Sequence, residues 1–134
     1  MHVEKASWIE GYVDERIITD IYNHEEALQA IQEFIASNPN LRINGAITFR
    51  EESILLTSKI TDKYNWIGIP YDSSARVKNK YLFREYCEKY EIPAPRRRKI
   101  NSLVDIEIAA KELQFPLVLK PAFGAASVNT MKVD

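Results

Sequence analysis

Apolar residues recur at helical spacing in four stretches of this chain and gather into short unbroken runs in several others. Downstream of Asn23, the residues Ala27, Leu28, Ile31, Phe34 and Ile35 form one stripe, with Gln29, Gln32 and Glu33 on the other side. This predicts an amphipathic helix reaching about Ala36. Asn23 and Glu26 have capping-box spacing at its start, and Asn38-Pro39-Asn40 stops it. Leu56, Ile60 and Tyr64 mark a second helix, from Ser53 to about Tyr64. A loop at Asp72–Arg76 then leads into a third helix to about Tyr90, whose stripe is Leu82, Tyr86 and Tyr90, thickened by Phe83 and Cys87. Ser102 with Asp105 caps a fourth, with Leu103, Ile106, Ala110 and Leu113 facing inward.

The unbroken runs read as strands. Ile43–Phe49 qualifies by its β-branched and apolar content. Pro116-Leu-Val-Leu119 is compact enough for a strand covered on both faces, and Asn129–Val133 reads as a strand returning beside it. Arg96–Ile100 reads as an exposed strand. Before residue 23, Trp8–Val13 and Arg16–Ile21 each have the content of a short strand, with Gly11 and Asp14-Glu15 between them. Helix, strand and helix in that order predict an α/β layered unit with a parallel sheet. Asp72–Arg76 is the preferred domain boundary, dividing residues 1–75 from 76–134.

Composition narrows the class. The 134 residues are 46% hydrophobic and 28% charged, within the range of a globular protein. A net charge of -1 implies no bulk attraction to nucleic acid or an anionic membrane. Arg96-Arg-Arg-Lys99 lacks the interleaved aromatics of a nucleic-acid surface. No apolar run approaches the ~20 residues of a membrane span, and the first residues lack the apolar core of a signal peptide. The single cysteine, Cys87, excludes an internal disulfide framework and reads as a small buried hydrophobe. His2 and His24 have no neighbouring ligand partners. The expected setting is the cytoplasm, with no nucleic-acid or membrane partner.

Candidate chemistry concentrates at the end of the chain, in Phe115-Pro-Leu-Val-Leu-Lys120-Pro-Ala-Phe-Gly124-Ala-Ala-Ser127. Pro121 ends strand pairing, having no N–H to donate, and Gly124–Ser127 carries so little side chain that its backbone can approach an anion. On spacing alone, a plain β-hairpin with one exposed lysine fits equally well. A second candidate is the basic stripe Arg76, Lys80 and Arg84 at i, i+4 and i+8. Like charges at that spacing repel, so the stripe is either a solvated face or a face that awaits an anion.

The stretch FPLVLKPAFGAASVNTMKV resembles the first nucleotide-binding hairpin of the ATP-grasp ligases, where a strand of the form (F/Y)PxVxKP leads into a small-residue loop over the phosphates of ATP. ARVKNKYLFREYCEKYEIPAPRRRKI is similar to the helix that opens the ATP-grasp lobe, and NGAITFREESILLTSKITDKYNWIGIP to the last strand and helix of the small domain before it. The resemblance covers roughly residues 43 to 133 and is specific to the superfamily rather than to any member. It implies a partial Rossmann-like pre-ATP-grasp domain followed by the first part of an ATP-grasp α+β lobe. By position in these motifs, Lys80 and Lys120 reach the phosphates, Arg84 matches a recurring arginine, and Gly124, Ala125, Ala126 and Ser127 form the phosphate loop. The implied activity is that of an ATP-dependent carboxylate–amine or carboxylate–thiol ligase acting through an acyl phosphate. ATP is the cofactor, and Mg2+ is held by ligands outside this chain.

These 134 residues alone are accordingly expected to be inactive, and their open C-terminal strand edge to invite pairing with a second copy. The alternatives are a non-catalytic nucleotide-binding or assembly module and, within enzymes, a subunit of the biotin carboxylase or carbamoyl-phosphate synthase type.

Overall fold

A computed structural model describes residues 10–124 and 126–134. They fall into two compact units that divide between Gly45 and Ala46.

The first unit is built on helix α1, His24–Ser37. Asn23 caps it as its spacing predicts: the side-chain oxygen accepts from the Glu26 N–H at 3.3 Å. The returning bond differs from a standard box. The Glu26 carboxylate accepts from the Asn23 side-chain amide at 3.1 Å, because the Asn23 backbone N–H already donates to the Asp20 carbonyl. Asn38 closes the other end, its amide donating to the Phe34 carbonyl at 2.8 Å. The strand expected at Arg16–Ile21 is not formed. Of Trp8–Val13, residues 8 and 9 lie outside the described part, and the rest shows one isolated bridge, Glu10 with Val13.

Ile43–Phe49 makes no ladder either. Its residues have strand propensity, but a strand exists only with a partner to hydrogen-bond, and Phe49 is left 94% exposed. Among the described residues there is no parallel pairing between named strands; the one sheet is a two-stranded antiparallel hairpin near the C-terminus. Arg96–Ile100 is irregular rather than a strand. Three of its cations are held by side chains or helix ends that the sequence does not place next to it. Arg96 donates to the last carbonyls of the helix that follows, those of Glu112 and Leu113, while Arg97 pairs with Glu88 and Arg98 with Glu112.

The second unit begins with a 3-10 turn, Glu51–Ser53, running into α2, Ile54–Lys63, and continues with α3, Tyr71–Lys78, and α4, Lys80–Lys89. Helix α3 corrects the loop expected at Asp72–Arg76. An aspartate and two serines, residues of low intrinsic helix preference, suggest a loop there, but tertiary contact overrides them. The Pro70 carbonyl accepts from the N–H groups of Ser73 and Ser74, and the Tyr71 N–H donates to the Asp62 carboxylate at 2.9 Å. Where the two helices meet, the hydroxyls of Ser58 on α2 and Ser74 on α3 are buried and 2.6 Å apart. Leu56, Ile60 and Thr61 complete the buried face of α2.

The expected single helix carrying Arg76, Lys80 and Arg84 is therefore two. Asn79 breaks it, at φ -95° and ψ 102°, and its side chain caps α4 by accepting from the Tyr81 and Leu82 N–H groups. Arg76 stays on α3, its guanidinium 4.5 Å from the centre of the Tyr86 ring. The break removes the i, i+4 like-charge pairing of Arg76 with Lys80, while Lys80 and Arg84 keep theirs on α4.

Helix α5, Leu103–Leu113, has the full Ser102–Asp105 capping box. Bonds from the Asn101 N–H and then from Ser102 hold the Asp105 carboxyl below the usual carboxylate range. Its buried residue is Ala109; Leu103, expected inward, is 82% exposed. Strands β1, Leu117–Leu119, and β2, Met131–Val133, pair in the register Leu117–Val133, Val118–Lys132 and Leu119–Met131. Nothing among the described residues covers both faces of β1 as its apolar run predicts, for Val118 is 60% exposed.

Candidate functional site

The turn between β1 and β2 is where the candidate residues meet. Gly124 has φ +139°, a conformation that L side chains rarely adopt, and Ala126, Ser127 and Asn129 also have positive φ. Val128 between them does not. The Thr130 N–H donates to the Ser127 carbonyl, closing the turn at 3.1 Å.

The start of α4 is bound to this turn twice. The Lys80 backbone N–H donates to the Ala122 carbonyl at 2.9 Å, and its ammonium donates to the Gly124 carbonyl at 2.8 Å. Residues 42 and 44 positions apart in sequence are thus joined at one helix N-terminus. The helix end contributes its own positive field there.

Beside this junction lies a cleft of about 340 Å³. Lys80, Lys120, Gly124, Ala126 and Ser127 line it together, so five of the seven candidates share one cavity. Ala125 lies outside the described residues. Arg84 is not in the lining; it projects from α4 with its guanidinium 5.6 Å from the Phe83 ring centre. The cleft also contains residues that sequence reasoning passed over, Lys78, Glu51 and Thr130. The Lys78 ammonium donates to a Glu51 carboxylate oxygen at 3.0 Å and to the Glu51 carbonyl at 3.3 Å. Lys78 stands two residues before Lys80, but nothing in the pattern pairs it with a glutamate 27 positions upstream. Next along the same turn, the Glu52 carboxyl is lowered mainly by its own backbone N–H, with Arg50 and Lys78 adding to it.

Three lysines from two helices and a strand end thus face one cavity that holds a single carboxylate among its lining residues. Its volume is at the small end of ligand clefts, roughly 300–1,000 Å³. That arrangement suits a polyanion, with point charges rather than a shaped apolar pocket.

No family model matches the chain. Over 72 residues, half of its length, it is 36% identical to a D-alanine–D-alanine ligase of Ectopseudomonas mendocina (strain ymp), of which it covers 23%. Over 83 residues, 60% of its length, it is 32% identical to a carbamoyl phosphate synthase large chain of Thermotoga sp. (strain RQ2), covering 7% of that protein. In structure it matches an L-amino acid ligase from Bacillus licheniformis with a TM-score of 0.68 and 24% identity, over 84% of this chain and 25% of that one. Over these stretches the chain is similar in sequence and in fold to ATP-grasp ligases.

ATP-grasp ligases in general use ATP and Mg2+. The cleft offers the cations such a nucleotide needs. No group of three or more His, Cys, Asp or Glu side chains gathers among the described residues, and Glu51 is engaged by Lys78. The chain spans about a quarter of the D-alanine–D-alanine ligases and of the L-amino acid ligase it matches. No helix among the described residues is long and apolar enough to cross a membrane.

Proposed function

We propose that the chain is the nucleotide-binding part of an ATP-dependent ligase that joins a carboxylate to an amine or thiol through an acyl phosphate. The observation that carries this reading is the meeting of Lys80, Lys120, Gly124, Ala126 and Ser127 at one cleft, with the Lys80 ammonium already on the Gly124 carbonyl. Lys80 and Lys120 neutralise the phosphates as point charges, and the turn closes over them with backbone N–H donors. Residues 1–75 then belong to the pre-ATP-grasp domain and 76–134 to the first part of the nucleotide lobe, in a cytoplasmic enzyme. Arg84 acts from outside the cleft, on the same helix as Lys80. No step is assigned to magnesium, whose ligands this cleft does not supply. Without such ligands the 134 residues bind nucleotide but do not turn it over. Their exposed hairpin edge pairs with a second copy.

A second reading within enzymes, a subunit of the carbamoyl-phosphate synthase type, is favoured by the longer of the two sequence matches. Both readings place a nucleotide in the same cleft, and a purely assembly-type module does not. Calorimetric titration with ATP, ADP, AMP and adenosine separates nucleotide binding from assembly. The proposal requires affinity to fall with each phosphate removed. Equal binding of all four, or none of any, contradicts it.

A further inference from the structure

The structure assigns Lys78 and Glu51 a role that depends on the cleft being a phosphate site: Glu51 is an internal stand-in for phosphate, holding Lys78 until a polyanion takes that lysine over. Lys78 ends α3 and Lys80 begins α4, yet both line the cleft, because the backbone turns at Asn79 between them. The Lys78 side chain is only 15% exposed, so its stem is packed and its ammonium has a restricted range. Within that range it is held by one carboxylate oxygen and one carbonyl, both of Glu51.

The two partners are unequal. Glu51 is the first residue of a 3-10 turn, and its side chain is 47% exposed, so its carboxylate can rotate into water while Lys78 keeps its place. A half-exposed ion pair is weak and easily exchanged. A triphosphate brings several charges at once and already meets Lys80 and Lys120 in the same cavity, so it competes for Lys78 with an advantage that one carboxylate lacks. Until then the carboxylate balances a lysine that would otherwise face two others unneutralised. Glu52, one residue on, is turned to Arg50 at 3.6 Å and feels Lys78 only as the smallest of the influences on its carboxyl.

The test is calorimetry on the 134-residue chain with ATP, inorganic tripolyphosphate and adenosine, using wild type, Glu51→Gln, Glu52→Gln and Lys78→Met. Lys78→Met keeps the packed stem and removes the charge. Glu51→Gln should bind ATP and tripolyphosphate about three- to tenfold more tightly, since it removes the competing anion. Lys78→Met should bind both about tenfold more weakly. Adenosine binding should not change, and Glu52→Gln should alter ATP affinity less than about twofold. Equal gains in the two glutamine variants would reduce the effect to general charge and overturn the proposal. Unchanged affinities with a lowered melting temperature would show a structural staple and overturn it too, while leaving the cleft reading intact if Lys120→Ala still weakens ATP. If neither wild type nor Glu51→Gln binds ATP or tripolyphosphate, the cleft reading and this one fall together.

Discussion

Gly68 is exposed in the connection between α2 and α3, yet it has no room for a side chain. A Cβ placed there would stand 2.6 Å from the Thr61 hydroxyl oxygen and 2.8 Å from both its Cβ and its methyl carbon. Ordinary contacts begin near 3.4 Å. Thr61 cannot give way freely, being 1% exposed, with its hydroxyl donating to the Ser58 carbonyl at 3.0 Å and its own carbonyl accepting from Trp66 at 2.8 Å. Relief means backing the 65–70 connection away from α2, which loosens the start of α3 and with it the Ser58–Ser74 contact. Gly68→Ala should therefore cost about 1–3 kcal/mol, the usual range for overpacking. For a domain of this size that is roughly 2–8 °C in melting temperature per kcal/mol.

Gly45→Ala is the matched control, since a Cβ there meets nothing within 4 Å and the residue has no positive φ. It should be neutral or stabilise slightly, by up to about 1 kcal/mol through the unfolded chain. Thermal and urea unfolding of the two variants, followed by circular dichroism, gives the comparison. If Gly68→Ala were as stable as Gly45→Ala, the close packing of the connection on Thr61 would be refuted.

Ser58→Ala or Ser74→Ala alone should cost about 1–3 kcal/mol by orphaning a buried hydroxyl, while the double variant should cost clearly less than the sum, as a urea double-mutant cycle would show. Asp105 has a folded pKa below its unfolded value, so its contribution is complete above the usual aspartate pKa and is lost as pH falls through the lower folded value. Asp105→Asn should therefore be less stable than wild type at about pH 5, with the gap narrowing toward about pH 2 in urea midpoints taken at each pH. ATP should slow amide hydrogen exchange across the described residues of the 122–130 turn more than across α5, whereas equal exchange with and without nucleotide would count against a loop that closes on phosphate.

Helices are legible where local chemistry decides them. The Asn23 and Ser102 caps are both present, and the stripe through Leu56 and Ile60 is buried. Strand readings fail where they depend on a partner, as at Ile43–Phe49, because periodicity reports only that a segment suits a sheet. Helix α3 is hidden because its two serines argue against a helix until Ser74 is seen to meet Ser58. The same limit applies to the site. Lys80, Lys120 and the small-residue turn carry motif signals in their own neighbourhoods, and the fold does bring them together. Glu51 and Lys78 form a long-range ion pair with no local pattern, so only the folded chain reveals them. The cap at Asn79 takes Arg76 out of the stripe, while Arg84 keeps its place one turn on from Lys80 on α4 without entering the cleft lining.

Calorimetric titration of ATP into wild type and Lys120→Ala tests the proposal that Lys120 meets nucleotide phosphate in the cleft. Lys120 is exposed at the end of β1, so its truncation should leave the melting temperature unchanged. A charge-assisted bond is worth about 1.5–3 kcal/mol, and a factor of ten in affinity about 1.4 kcal/mol. ATP should bind at least tenfold more weakly to Lys120→Ala with its fold intact, and an affinity equal to wild type would refute the contact between Lys120 and phosphate.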